Sequence, residues 1–134
     1  MRVVLDSNVI IAAFATRGLC QSLFELCLEH HSILLSDELL EEIRGNLLEK
    51  IKLPASKINE IVSFLKNQAA VISPEPLPEK ICRDPDDVKV LSLAVTGKAD
   101  LIVTGDKDLL VLEVVQGIPI VSPRDFWARL RKET

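Results

Sequence analysis

Short apolar runs alternate with stretches of helical periodicity from one end of the chain to the other, the pattern of an α/β domain with a mostly parallel sheet. Val3 to Leu5 forms a first strand, followed by a short helix through Val9, Ile10 and Ala13, a turn at Arg17-Gly18, and a second helix carrying Leu23, Phe24, Cys27 and Leu28. The next strand, Ile33 to Leu35, stops at Ser36, an N-cap with Asp37 and Glu38 in the first turn behind it. A helix with Leu39, Leu40, Ile43 and Leu47 on its apolar stripe follows. After Pro54 a helix with Ile58, Ile61, Val62 and Leu65 leads to a short strand at Val71-Ile72. Pro74, Pro76 and Pro78 then enforce an extended connection, since proline lacks a backbone donor and disfavours helix before it.

The pieces on either side of those prolines are too small to fold well alone. The connection therefore reads as a surface crossover, and residues 1–134 as a single domain. Asp84-Pro85-Asp86-Asp87 opens the next helix, whose apolar face uses Val88, Leu91 and Val95. Leu101 to Val103 makes a strand, Asp106 begins a short helix through Leu109 and Leu112, and Ile118 to Val121 forms a last strand. Ser122-Pro123-Arg124-Asp125 then resembles an N-cap, a proline at the first helical position and a reciprocal acid. It introduces a closing helix with Phe126, Trp127 and Leu130 that packs on the sheet.

Composition narrows this frame. At 134 residues and 48% hydrophobic, the chain can bury a proper core. Its apolar runs fall far short of the roughly 20 residues that span a bilayer, and Met1 leads straight into a strand without the marks of a signal segment. A cytoplasmic protein is expected. Cys20, Cys27 and Cys82 are odd in number and lack C-x-x-C spacing, so neither a disulfide framework nor a zinc site is suggested. His30 and His31 are adjacent, point in different directions on a helix, and make a poor metal pair. Acids outnumber bases 20 to 16, for a formal net charge of -4, so the overall field does not draw in nucleic acid.

The candidate chemistry lies in four carboxylates where strands end or helices begin: Asp6, Glu42, Asp87 and Asp106. In an open parallel sheet, ligands bind beyond the carboxyl ends of the strands, and Asp6 and Asp106 both occupy that edge. Glu42 lies roughly 110° from the centre of its helix's apolar stripe, whereas Glu38 and Glu41 lie roughly 150° away, so Glu42 is best placed to turn inward. Asp87 completes the set if its helix starts beside Asp6. Clustered carboxylates repel one another and raise each other's pKa. Mg²⁺ or Mn²⁺ would compensate them, since both prefer oxygen ligands. With that charge cancelled, Arg17, Arg44, Arg83 and Lys107 become candidates for phosphate contacts; the alternative is that they are solvated surface charges.

Each acid also has a bland explanation. Asp84 with Asp87 forms a capping pair in that reading, Asp106 is a plain N-cap, and Glu42 faces solvent. Taken singly, Asp84, Asp86, Asp108 and Glu41 favour it. Asp6 resists it, because a charge ending an apolar strand is costly unless exposed at the sheet edge or paired.

Four segments in order resemble the successive motifs of PIN-domain ribonucleases: Val-Val-Leu-Asp6-Ser-Asn8, Leu-Ser36-Asp-Glu-Leu-Leu-Glu-Glu42-Ile, Arg-Asp84-Pro-Asp-Asp87, and Ile-Val-Thr104-Gly-Asp106-Lys-Asp108. More narrowly they are similar to the VapC-type toxins of toxin-antitoxin pairs. The resemblance implies a three-layer α/β/α fold and Mg²⁺- or Mn²⁺-dependent hydrolysis of RNA phosphodiester bonds by an in-line water. By motif, Asp6, Glu42, Asp87 and Asp106 would hold the metal, with either Asp84 or Asp87 as the direct ligand. Asn8, Asp84, Thr104 and Asp108 would serve as supporting or substrate contacts, with Arg17, Arg83 and Lys107 nearby. The same resemblance implies a homodimer silenced by an antitoxin whose tail covers the acidic cleft.

Rival readings differ in identifiable residues. A Mg²⁺-binding receiver domain needs a lysine beyond a late strand, and Ile118 to Ser122 offers none. A haloacid-dehalogenase-type phosphatase carries a second aspartate two positions after the first, where this chain has Asn8. A non-catalytic RNA- or protein-binding module on the same fold is the remaining alternative.

Overall fold

β1 (Arg2–Leu5) is the middle of the structure, and its sequence explains why. Val3, Val4 and Leu5 are apolar on consecutive positions and all wholly buried, as expected of a strand covered on both faces. The computed structural model describes residues 1–77 and 85–133. β1 runs parallel to β2 (Ser32–Leu35) on one side and to β4 (Leu101–Val103) on the other. β3 (Ala70–Val71) extends the sheet parallel to β2, and β6 (Ile118–Val121) parallel to β4. β5 (Val114–Val115) pairs antiparallel with β6, giving the order β3-β2-β1-β4-β6-β5.

Two helices, α1 (Ser7–Ala15) and α2 (Leu19–His30), connect β1 to β2; α3 (Asp37–Glu49) and α4 (Ala55–Gln68) connect β2 to β3. These connections progress one way across the sheet, whereas the return from β3 to β4 through α5 (Pro85–Thr96) runs the other way. Right-handed crossovers then put α5 on the face opposite α1 to α4. The result is the mostly parallel α/β sheet that the patterning predicts, in the three-layer α/β/α arrangement that the family resemblance implies. α6 (Lys107–Leu110) is a single turn after β4, and α7 (Pro123–Glu133) closes the chain by packing against α2.

Local signals account for most boundaries. The Ser36 hydroxyl accepts from the Leu39 N–H at 3.1 Å, and the Ser122 hydroxyl from the Asp125 N–H at 3.1 Å, so both serines cap as expected. The third strand begins one residue earlier than expected, at Ala70, although the Ile72 N–H still donates to the Leu35 carbonyl at 2.7 Å. β5 is absent from the sequence reading. Its two residues are too few for a periodic signal, and the turn to β6 uses Gln116 and Gly117, both at positive φ (45° and 81°). That is the hairpin geometry usually marked by Asn-Gly.

Cys27 is buried and Cys20 half-buried. Burial pushes the Cys27 thiol up to about 12, which leaves it inert. Among the described residues no single helix is long and apolar enough to cross a membrane, and α1 with α2, the one apolar pair, is bent by 106°. Trp127 is half-buried against the core, while Phe126 is fully buried with its ring 6.3 Å from that of His31. Phe126→Ala is expected to cost about 3–5 kcal/mol in urea denaturation. A loss below about 1 kcal/mol would mean that α7 is not anchored through this ring.

Candidate active site

β1 and β4 are neighbours from which the chain departs in opposite directions, so the crevice beyond their carboxyl ends is a topological switch point. Asp6 and Thr104 are the first residues past the two strands. The Asp6 N–H donates to the Val103 carbonyl at 2.9 Å and the Thr104 N–H to the Val121 carbonyl at 3.0 Å. Both backbones are thus locked into the ladder one step beyond the strands. Side chains at these positions inherit the rigidity of the sheet.

Asp6 is also the N-cap residue of α1, where its carbonyl accepts from Val9 and Ile10 at 3.0 and 3.2 Å. Its carboxylate makes no capping bond. It is 7% exposed and accepts at 2.7 Å from the hydroxyl of Thr104, which is itself wholly buried. The same hydroxyl accepts from the Asp106 N–H at 3.0 Å. One threonine therefore receives a hydrogen bond from the Asp106 backbone and gives its own to Asp6. Asp106 Oδ1 accepts from the Asp108 N–H at 2.9 Å, so one of its oxygens caps α6 as the bland reading holds, and the other is not used in that cap.

Burial raises the pKa of Asp6 above the ordinary carboxylate value. The Thr104 hydroxyl and the Ser7 N–H pull the other way, the Asp106 charge adds to the rise, and the Ser7 hydroxyl lowers it weakly from 3.5 Å. The balance is upward. A buried acid facing a second acid, with oxygen donors only, suits a hard divalent cation, which would relieve both the burial and the repulsion.

The other expected residues are distributed around this pair. Asp87 is buried, at 4% exposure, in the first turn of α5, which packs against β1, β2 and α3. Glu42 is half-buried on α3, whereas Glu38 and Glu41 are exposed. Among the described residues no group of three His, Cys, Asp or Glu side chains forms a ready-made metal cage. Hydrogen bonds join Asp6, Thr104 and Asp106, and Glu42 and Asp87 stand on α3 and α5, which touch each other.

Asn8 is exposed in the first turn of α1, and Lys107 and Asp108 are exposed on α6. Arg17 is exposed between α1 and α2. Arg44 donates to the Asn59 side chain at 2.8 Å and lies 3.7 Å from Glu41, so it ties α3 to α4. Asp84 and Arg83 fall outside the described residues. Ser7, 1% exposed beside Asp6, is missed by the sequence reading. Only its place next to a strand-ending acid hinted at it.

A family model described as PIN domain matches residues 2–108. The chain is 32% identical over 118 residues to the protein MJ1680 of Methanocaldococcus jannaschii, covering 84% of this chain and 75% of that one. Among solved structures it is similar to VapBC2 from Rickettsia felis, solved bound to a promoter DNA fragment, with a TM-score of 0.65, 16% identity, and 91% of this chain and 98% of that one covered. It is also similar to PAE2754 from Pyrobaculum aerophilum, with a TM-score of 0.62, 15% identity, and 98% and 89% covered. A third likeness is to the PIN domain endonuclease Utp24, with a TM-score of 0.51, 22% identity, and 90% and 84% covered.

The raised pKa of Asp6 has a signed consequence for stability. Below its unfolded pKa the carboxyl is protonated in both states and folding carries no penalty; as pH rises through the folded pKa, ionisation opposes burial and stability is lost. Asp6→Asn keeps an acceptor for Thr104 without the charge. In chelator, the variant and the parent are expected to melt together near pH 3, and the variant to melt higher at pH 7. A variant that melts lower at pH 7 would show that the folded protein favours the charge.

Proposed function

We propose that this chain, which belongs to the PIN-domain family, is a divalent-metal-dependent endoribonuclease acting at Asp6, Glu42, Asp87 and Asp106. The observation that carries this reading is the Asp6–Thr104–Asp106 hydrogen-bonded chain, at the sheet's switch point, with a buried carboxylate left out of helix capping. A plain N-cap has no reason to bury its charge against a second acid.

Asp6 and Asp106 would hold Mg²⁺ or Mn²⁺ first, being fixed by the sheet through Val103, Val121 and Thr104. Asp87 and Glu42 would add oxygen donors from α5 and α3. Such an ion, when bound, makes a coordinated water a nucleophile at neutral pH and offsets charge on the phosphate. Thr104 keeps one Asp6 oxygen engaged, which orients the other. The sheet edge would hold Asp6 and Asp106 still, and Asn8, Asp108, Arg17 and Lys107, all exposed, would contact the RNA strand. Asp84 and Arg83 are proposed for the same role on sequence alone.

The fold likeness to VapBC2 supports a narrower reading, in which the protein is the toxin of a toxin-antitoxin pair, silenced by an antitoxin over the acidic crevice; a homodimer acting in the cytoplasm is proposed with it. A small neighbouring reading frame for a DNA-binding protein would support it.

Purified protein is expected to cut RNA with Mg²⁺ or Mn²⁺, to stop in excess chelator, and to lose cutting in Asp6→Asn. Thr104→Val should lower the rate about 10- to 100-fold while the protein stays folded, as loss of an outer-shell partner does. Equal cleavage in chelator would contradict the metal-dependent chemistry. Acid variants that fold and bind RNA as the parent does, with no cutting by either, would favour a non-catalytic binding module.

A further inference from the structure

α7 carries a cationic face that the acidic site does not account for. At 100° per residue, the exposed residues Arg131, Arg124, Ala128, Lys132, Asp125 and Arg129 fill one arc of roughly 160°. Phe126 and Leu130 occupy the opposite, buried side. Four cations against one acid on a single face are unexpected in a chain whose net charge is -4. Among the described residues, no ion pair joins Arg124, Arg129 or Lys132 to a carboxylate.

The position of this face is as informative as its charge. The Val121 carbonyl accepts from the Thr104 N–H, and Thr104 in turn donates to Asp6. Arg124 follows Val121 by three residues, so the cationic face starts at the acidic edge and runs back along the molecule from Arg124 to Lys132 for about 12 Å, at 1.5 Å per residue. Guanidinium groups pair bidentately with phosphate oxygens. A face of this length and charge suits a polyanionic strand rather than a single phosphate.

We infer that the exposed face of α7 is a phosphate track for the RNA strand flanking the scissile bond, with Arg124 at its site end and Arg129 and Lys132 further along. The inference rests on the ribonuclease reading above and extends it to how substrate is held. The track is sequence-independent, and it offsets the repulsion that the protein's net negative charge exerts on RNA.

The test is the salt dependence of binding to a fluorescent 20-nucleotide single-stranded RNA, in full-length protein carrying Asp6→Asn so that the RNA stays intact. The triple variant Arg124→Ala, Arg129→Ala, Lys132→Ala is expected to bind at least about tenfold more weakly at low salt. The slope of log K against log salt should flatten by about 2, from roughly 0.7 per lost phosphate contact. Lys50→Ala, Lys57→Ala, Lys66→Ala removes the same charge from the end of α3 and from α4 and should leave the slope unchanged; circular dichroism melts verify folding of both. An unchanged slope in the α7 variant, or an equal change in the lysine control, would overturn the track. Loss of binding to phosphatidylserine vesicles with RNA binding intact would overturn it in favour of a lipid surface. Absence of RNA binding by the parent, with or without Mg²⁺, would overturn the ribonuclease reading and the track together, whereas cleavage by a parent whose α7 variant binds normally would overturn the track alone.

Discussion

A carboxylate buried directly after three wholly buried apolar residues is the constraint around which this protein is organised. Asp6 follows Val3, Val4 and Leu5, with Ser7 buried behind it, and its charge is tolerated because Thr104 donates to it across the neighbouring strand. That bond does not neutralise the charge. Its pKa stays raised by burial and by the Asp106 charge, so the folded chain holds a destabilising feature next to a hydrogen-bond partner that fixes its geometry. Strain of this kind at a rigid position is characteristic of sites built to receive a ligand.

The sheet topology explains why Asp6 and Asp106 come close there. Connections leave β1 and β4 in opposite directions, which opens a crevice at their carboxyl ends, and the helices that begin at the same edge bring Asp87 and lead toward Glu42. The family fold thus supplies the location, while Asp6, Thr104 and Asp106 supply the chemistry. α7, starting beside the same edge, presents the opposite charge.

Much of this was legible in the sequence because it depends on short-range signals. Ser36 and Ser122 cap as their neighbours suggest, Val3 to Leu5 reads as a first strand, and the angle of Glu42 from its stripe agrees with its half-burial. What was not legible is long-range or too short to leave a period. Thr104 and Asp6 are 98 residues apart, so their bond could be reached only through the family motif, without its direction or its link to Asp106. β5 has two residues and a turn lacking the usual Asn-Gly. The basic face of α7 was visible residue by residue, but its relation to the acidic edge needed the pairing of β6 with β4.

Everything in the proposed chemistry depends on Asp6 and Asp106 jointly holding a divalent cation. Calorimetric titration of Mn²⁺ into the parent and into Asp6→Asn and Asp106→Asn tests it most directly. Saturable binding to the parent that tightens as pH rises is expected, with loss of that binding in both variants. Mn²⁺ binding of equal affinity in all three proteins would contradict it.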